Sequence, residues 1–224
     1  MPFWKDIPIH IMDFEGSVRT GIVEYGIVTL HCGEIVGAWT RLCAADAPIP
    51  QLDTQCHGLR DGDLVGALPV REDWVLFSGL RRTGLFCAHH APTEHRLLKA
   101  VWPYPGAMPD HARPDAAAVN DWGPWIDTCR LASALGKQVA DYKLASLISW
   151  FCLNKKLEQS ASVYCSSSRR RYHCALYDAI ASALLLRHLC SQLGNGRVSL
   201  EDLVRESMGC ERHAERMQGE LDLW

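Results

Sequence analysis

The sequence contains no run of about 18 apolar residues, so it offers no segment able to cross a membrane as a helix. No basic stretch followed by an apolar core comes after Met1, which argues against a secretory leader and makes the cytoplasm the expected location. Cys-x-x-Cys pairs are also missing, although there are 10 cysteines, at 32, 43, 56, 87, 129, 152, 165, 174, 190 and 210. Without paired spacing, structural zinc and a disulfide framework are both disfavoured. Thiols inside runs such as Leu85-Phe86-Cys87-Ala88 and Trp150-Phe151-Cys152-Leu153 read as small buried hydrophobes. No charge of one sign dominates: 23 Lys and Arg stand against 26 Asp and Glu, a net charge of −3. A polyanionic partner would have to be held by local basic clusters or bound cations. There is no internal repeat. With 224 residues, 48% hydrophobic and 22% charged, the chain suits one folded domain, or two small ones.

What is present is a succession of short apolar strands and striped helices. Ile9 to Ser17 reads as a strand, and Thr20 to Leu30 as a second, β-branched one. Gly33 to Thr40 follows across a Cys32-Gly33-Glu34 corner, which completes an antiparallel meander. Ala47-Pro48-Ile49-Pro50 breaks regular structure, and a loop carries Cys56-His57-Gly58-Leu59 into Asp61-Gly62-Asp63. Apolar residues at Trp74, Val75, Phe77 and Leu80 predict a helix over 71–82. Leu85 to Ala88 is a fully apolar strand, and Pro92 opens a helix reaching about Val101. Tyr104 to Gly123 is a connecting loop. Trp125-Ile126-Asp127 is a strand turning into a helix over 128–135, and Lys143 to Leu153 is another helix. Glu158 to Arg171 is polar and predicts a mobile loop. Tyr172 to Leu193 is the longest helical pattern, stopped by Gly194-Asn195-Gly196, and Ser199 caps a last helix to Met208. The charged tail to Trp224 has no clear pattern. Antiparallel strands followed by strands alternating with helices imply an α/β domain, a mixed sheet covered by helices.

Four acids and one histidine carry the chemistry. Asp13 and Glu15 are two apart on a strand and project from the same face, where they repel each other unless a cation such as Mg²⁺ or Mn²⁺ intervenes. Glu94 stands in the first turn of a helix that follows a buried strand, a position the helix dipole also favours. Asp178 sits inside the most apolar helix, where a carboxylate needs a pairing partner, a cap or a metal. His173 precedes Asp178 by five residues, about 500° of helix rotation, so it belongs at the helix start or on the loop before it.

These residues carry a resemblance. Asp13-Phe14-Glu15 on the first strand, then Ala88-His89-His90-Ala91-Pro92-Thr93-Glu94, then His173-Cys174-Ala175-Leu176-Tyr177-Asp178-Ala179, are similar to the three motifs of the DEDDh 3′–5′ exonucleases. This is the family of the proofreading epsilon subunit of bacterial DNA polymerase III. Cys56-His57-Gly58-Leu59 resembles the family's His-Gly-Ile loop, and Trp125-Ile126-Asp127-Thr128 its apolar-Asp-Thr strand end. The likeness spans roughly residues 7 to 190. It implies a ribonuclease H-like mixed five-stranded sheet, with three antiparallel N-terminal strands and then parallel ones, flanked by helices. It places an exonuclease domain at 1–193 and a helical extension at 194–224 packed on the same domain. It further implies that Asp13, Glu15, Glu94 and Asp178 hold two divalent cations, Mg²⁺ or Mn²⁺, and that His173 is the general base. The 3′ end of a single-stranded DNA or RNA would meet the backbone of Phe14, Gly16 and Ser17. His57, Leu59 and His90 would face the substrate, with Leu59 packing on the terminal base or, equally, serving as a core residue. Arg171, beside Arg169 and Arg170, would neutralise phosphates or form part of a solvated loop. The resemblance leaves open a DNA polymerase partner or self-association. Two departures stand out: the second motif ends in Glu94 where the family has Asp, and His90 replaces its Asn. They motivate an alternative, a catalytically weakened nucleic-acid- or polymerase-binding module on the same fold. A di-metal hydrolase acting on small phosphodiesters is a third reading, with no residue in its favour.

Overall fold

The computed structural model describes residues 1–135 and 139–208. Its centre is β1 (Ile9–Ser17), flanked by β2 (Gly21–His31) and β4 (Leu85–Ala88) in a five-stranded sheet. With β3 (Glu34–Leu42) and β5 (Trp125–Asp127) the order is β3-β2-β1-β4-β5. The β1–β2 and β2–β3 pairs are antiparallel, and β1–β4 and β4–β5 are parallel. The β2–β3 hairpin closes on Cys32 and Gly33, both at positive φ (53° and 82°), as a two-residue turn matching strand twist requires.

The helices are α1 (Gln51–His57), α2 (Trp74–Thr83), α3 (Ala91–Val101), α4 (Thr128–Ala134), α5 (Leu144–Trp150), α6 (Asn154–Tyr164), α7 (Ala175–Gln192) and α8 (Leu200–Met208). Alternation along β1 sorts its side chains into two layers. Ile9 and Ile11 join the cluster built around α7, whereas Met12 and Phe14 join the cluster of α2 and α3. Nearly all of α7 is buried because the sheet covers one side and α4, α5 and α6 the other. That explains why its sequence shows no amphipathic stripe. On the far layer Trp74, Phe77, Phe86, Trp102 and Trp122 form a contiguous aromatic stack.

Arg81, fully buried at the end of α2, fixes the long excursion between α3 and β5. It donates to the carbonyls of Pro109 (2.8 Å), Trp122 (2.9 Å) and Gly123 (2.5 Å), and burial lowers its pKa to about 10. A lysine keeps the charge but not the planar fork that serves three acceptors. Arg81→Lys is therefore expected to cost about 2 kcal/mol in a urea titration, and an unchanged midpoint would show that the excursion holds itself.

Several elements differ from the sequence reading. The segment 158–171 is no loop: α6 runs through Tyr164, with Leu157 and Ala161 buried, and Tyr177 donates to Glu158 at 2.7 Å. A 3-10 turn at Ser167–Arg169 follows. The helix expected to reach Leu153 stops at Trp150, because Cys152 takes a left-handed φ of 56° before α6 begins. Cys56 and His57 lie in α1, which Gly58 terminates in the left-handed region, so that stretch is not a loop throughout. The helix expected over 71–82 opens as a 3-10 turn at Val70–Asp73, and the longest helix starts at Ala175 instead of Tyr172. Ser199 does cap the last helix, accepting from the Asp202 amide at 3.1 Å. That helix, α8, lies along β5, where the Asp127 amide donates to Ser207 Oγ at 2.8 Å. The rest of the expected extension, 209–224, lies outside the described residues. Nine cysteines among the described residues are free thiols. No described helix is long and apolar enough to cross a membrane.

Candidate active site

The site forms where β1 ends. Asp13 and Glu15 point to the same side as Ile9 and Ile11, toward the start of α7. Directly after Glu15 the β1–β2 register shifts at Gly16, whose φ of 125° and distance of 2.1 Å from a built Cβ to the Gly21 carbonyl leave no room for a side chain. Ser17 and Thr20 then exchange amide-to-hydroxyl bonds (3.0 and 3.2 Å) that hold the turn.

Asp178 reaches the same place because α7 crosses β2 almost backbone to backbone. At Gly26, the register partner of Asp13, an added Cβ would lie 2.2 Å from the Ala175 carbonyl carbon and the Leu176 nitrogen. Asp178, in the first turn of α7, uses Oδ2 to accept the His173 amide at 2.9 Å, and its Oδ1 has no partner among the described residues. His173 adopts a left-handed φ of 60° and is exposed. Donor atoms of Glu15, His173 and Asp178 lie within 4.8 Å of one another. Glu94, 5% exposed in the first turn of α3, completes the set by charge: it acts electrostatically on Asp13 and Glu15, and its Oε2 is unpartnered. Among the described residues neither Asp13 nor Glu94 belongs to a three-residue group as tight as 4.8 Å.

Burial and mutual repulsion raise every one of these acids. Asp13 is pushed well above its ordinary range by burial, then by Asp178, Glu15 and Glu94. Glu15 rises to about 8 through burial and the charges of Asp178 and Glu24, against the pull of Arg169 and Arg171. Glu94 rises to about 8 and Asp178 to about 7, burial leading in both. Partnerless buried carboxylate oxygens in an all-oxygen donor set are what hard cations such as Mg²⁺ and Mn²⁺ require, so the residues fit such ions.

A pH dependence follows. Unfolded carboxyls lose their protons near pH 4, whereas these folded ones keep theirs until about pH 7–8. Between those limits the folded state binds more protons, so the stability they contribute is full at low pH and declines as pH rises through the window. Below about pH 6.5 the buried His10 and His89, whose pKa values burial lowers to about 4, act in the opposite sense. In EDTA the melting temperature is therefore expected to fall from about pH 6.5 to pH 8.5, and Mn²⁺ is expected to restore it most at the upper end. A metal-free melting temperature that climbs over this range would contradict the clustering.

The other expected site residues are placed as follows. Phe14 is buried against Phe77, leaving the backbone of Gly16 and Ser17 at the site's edge. His57 is buried, and its Nδ1 accepts the Leu59 amide at 3.1 Å. Leu59 packs with Val23 and Leu64 and is 5% exposed. His90 is exposed at the head of α3, and its amide donates to Asp127 Oδ1 at 3.2 Å. Arg171 donates to the His57 carbonyl at 3.1 Å, and Arg169 donates to that same carbonyl, also at 3.1 Å.

One residue of the cluster escaped the sequence reading. Glu24, the register partner of Glu15 on β2, is buried, accepts the Ala175 amide at 3.1 Å and pairs with Arg169. A glutamate in the middle of an otherwise apolar strand, between Val23 and Tyr25, was the available signal.

Sheet order, helix placement and a carboxylate cluster at the end of the first strand define a ribonuclease H-like α/β domain. No protein-family profile and no curated protein sequence matches this chain. Solved structures do resemble it. Exonuclease X in complex with 5′ overhanging duplex DNA superposes with a TM-score of 0.62 at 21% identity, covering 88% of this chain and 99% of that one. The nuclease domain of 3′hExo, a DEDDh family member bound to rAMP, gives 0.58 at 15%, covering 89% and 98%. Exonuclease I of E. coli in complex with a dT13 oligonucleotide gives 0.59 at 9%, covering 84% and 42%. At these identities the likeness is one of fold.

Proposed function

We propose that the chain is a divalent-metal-dependent 3′–5′ exonuclease that releases nucleoside 5′-monophosphates from the 3′ end of single-stranded DNA or RNA. The observation that carries this reading is the approach of Glu15, Asp178 and the exposed His173 to within 4.8 Å at the end of the central strand, with Asp13 and Glu94 acting electrostatically on the same acids. Those four acids would hold two Mg²⁺ or Mn²⁺ ions, whose chemistry is to clamp the scissile phosphate and neutralise charge on the attacking and leaving oxygens. His173 accepts a proton from the attacking water. The water oxygen bonds to phosphorus, the P–O bond to the penultimate nucleotide's 3′ oxygen breaks, and that oxygen takes a proton from solvent water, leaving the strand with a new 3′ hydroxyl. The Gly16–Ser17 backbone meets the terminal nucleotide. Arg171 lies beside the path of the phosphates, held by the His57 carbonyl.

Digestion of matched 3′-labelled DNA and RNA oligonucleotides with Mn²⁺, Mg²⁺ or EDTA tests this. Stepwise shortening from the 3′ end that EDTA stops is the expected result. A folded protein that cleaves neither strand with either metal would refute it.

Glu94 and His90 favour a second reading, a weakened binding module, because they stand where the resembled second motif has Asp and Asn. On that reading Glu94→Asp raises activity roughly tenfold or more, equivalent to about 1.4 kcal/mol of barrier. On the first reading the same change lowers it, because the shorter side chain no longer fits the arrangement built for Glu.

A further inference from the structure

We propose that His89, His90 and Cys129 form a second metal site, separate from the carboxylate cluster, that takes one Zn²⁺ ion with the Tyr142 carbonyl as fourth ligand. Donor atoms of the three side chains lie within 4.8 Å of one another and come from two places in the fold: the β4–α3 turn and the first turn of α4. Tyr142, on the segment leading into α5, points its carbonyl into the group. His89 Nε2 lies 2.9 Å from that oxygen and Cys129 Sγ lies 3.7 Å from it.

These separations match tetrahedral zinc. With Zn–S near 2.3 Å and Zn–O near 2.1 Å, a tetrahedral angle sets S···O at about 3.6 Å, and an imidazole nitrogen sets N···O at about 3.4 Å. The sulfur is therefore already in place. The His89 ring needs to retreat by about half an ångström, giving up its hydrogen bond to the Tyr142 carbonyl, and the exposed His90 ring already packs edge-on against it at 4.9 Å.

The outer partners are also present. His89 Nδ1 lies 2.9 Å from Thr128 Oγ1, which in turn lies 3.5 Å from the Ala88 carbonyl. Metal on Nε2 fixes the tautomer with a proton on Nδ1. That proton is donated to Thr128, whose own proton turns toward Ala88. A ligating histidine is normally oriented in this way by its second nitrogen.

Donor chemistry sorts the two sites. The nitrogen and sulfur set suits zinc, and the oxygen set around Asp178 suits Mg²⁺ or Mn²⁺. Zinc here would tie the heads of α3 and α4 to the Tyr142 segment. It would steady the helix that carries Glu94 without touching the reacting phosphate. The ligands are hidden from motif reading because His90 and Cys129 stand 39 positions apart.

The test uses the full chain, stripped with a chelator and titrated with Co²⁺ and then Zn²⁺. One equivalent of Co²⁺ is expected to give tetrahedral visible bands and a thiolate-to-cobalt charge-transfer band, both erased by Zn²⁺. Cys129→Ser is expected to lose the charge-transfer band. His90→Ala is expected to weaken Zn²⁺ binding by at least roughly tenfold, a loss that even outer partners of a metal ligand produce. Asp178→Asn is expected to keep the band, which separates this site from the carboxylates. An unsubstituted chain that shows no thiolate band even when saturated with cobalt, so that the metal is held by the carboxylates alone, would overturn the proposal whether or not the variants fold. A band that survives Cys129→Ser, showing that another cysteine is the ligand, would also overturn it.

Discussion

Replacing His173 with alanine is expected to slow release of mononucleotides from a 3′ end by about 10²–10⁴-fold, the usual worth of a positioned proton acceptor. The fold should survive, since the side chain is exposed and makes no hydrogen bond among the described residues; its backbone amide is fastened to Asp178. Because position 173 has a left-handed φ of 60°, alanine may be compared with asparagine, which tolerates that region and cannot act as the base. Both variants should lose activity alike, with Mn²⁺-dependent stabilisation retained. If His173→Ala digests at the parental rate, the proton goes elsewhere and the assigned mechanism fails.

Gly26→Ala is expected to do comparable damage from a position that touches no substrate. A methyl group 2.2 Å from the backbone of Ala175 and Leu176 forces α7 off the sheet, and no flexible side chain is there to yield. A cost of about 3 kcal/mol is expected, lowering the melting temperature by roughly 6–12 °C. Activity should fall as well, because Asp178 rides on that helix turn and Asp13 is the register partner of the altered residue. Calorimetry and digestion of a labelled strand check both parts. A variant with parental melting and parental rate would mean that α7 accommodates the methyl without moving Asp178.

Much of this arrangement could be read in advance wherever local periodicity governs. Asp13 and Glu15 follow from the two-residue repeat of a strand, and the β2–β3 turn follows from its Cys-Gly corner. The four acids that gather at the end of β1 stand out in the sequence because each interrupts an apolar pattern or opens a helix. What escaped depends on contacts between distant segments. Helix α6 buries only Leu157 and Ala161, so its polar majority made it look like loop. The Ser-Ser-Ser-Arg-Arg-Arg run looked solvated, yet Arg169 is committed to Glu24 and His57, and Arg170 to the carbonyls of Ser162 and Cys165. No local rule pairs Arg169 with a carbonyl 112 residues away. Glu24 was passed over for the same reason: its partners lie on the turn before α7, and its own strand gives no hint of them.

The double grip on the His57 carbonyl makes two segments a single mechanical part. One carries the His57–Leu59 corner and the other leads to His173, and Arg169 and Arg171 rivet them together at one main-chain oxygen. A main-chain acceptor is present whatever side chain occupies position 57, so sequence drift there leaves the rivet intact. Drift at the two arginines does not. The His57–Leu59 corner and the turn that leads into α7 are therefore fastened so that neither shifts without the other.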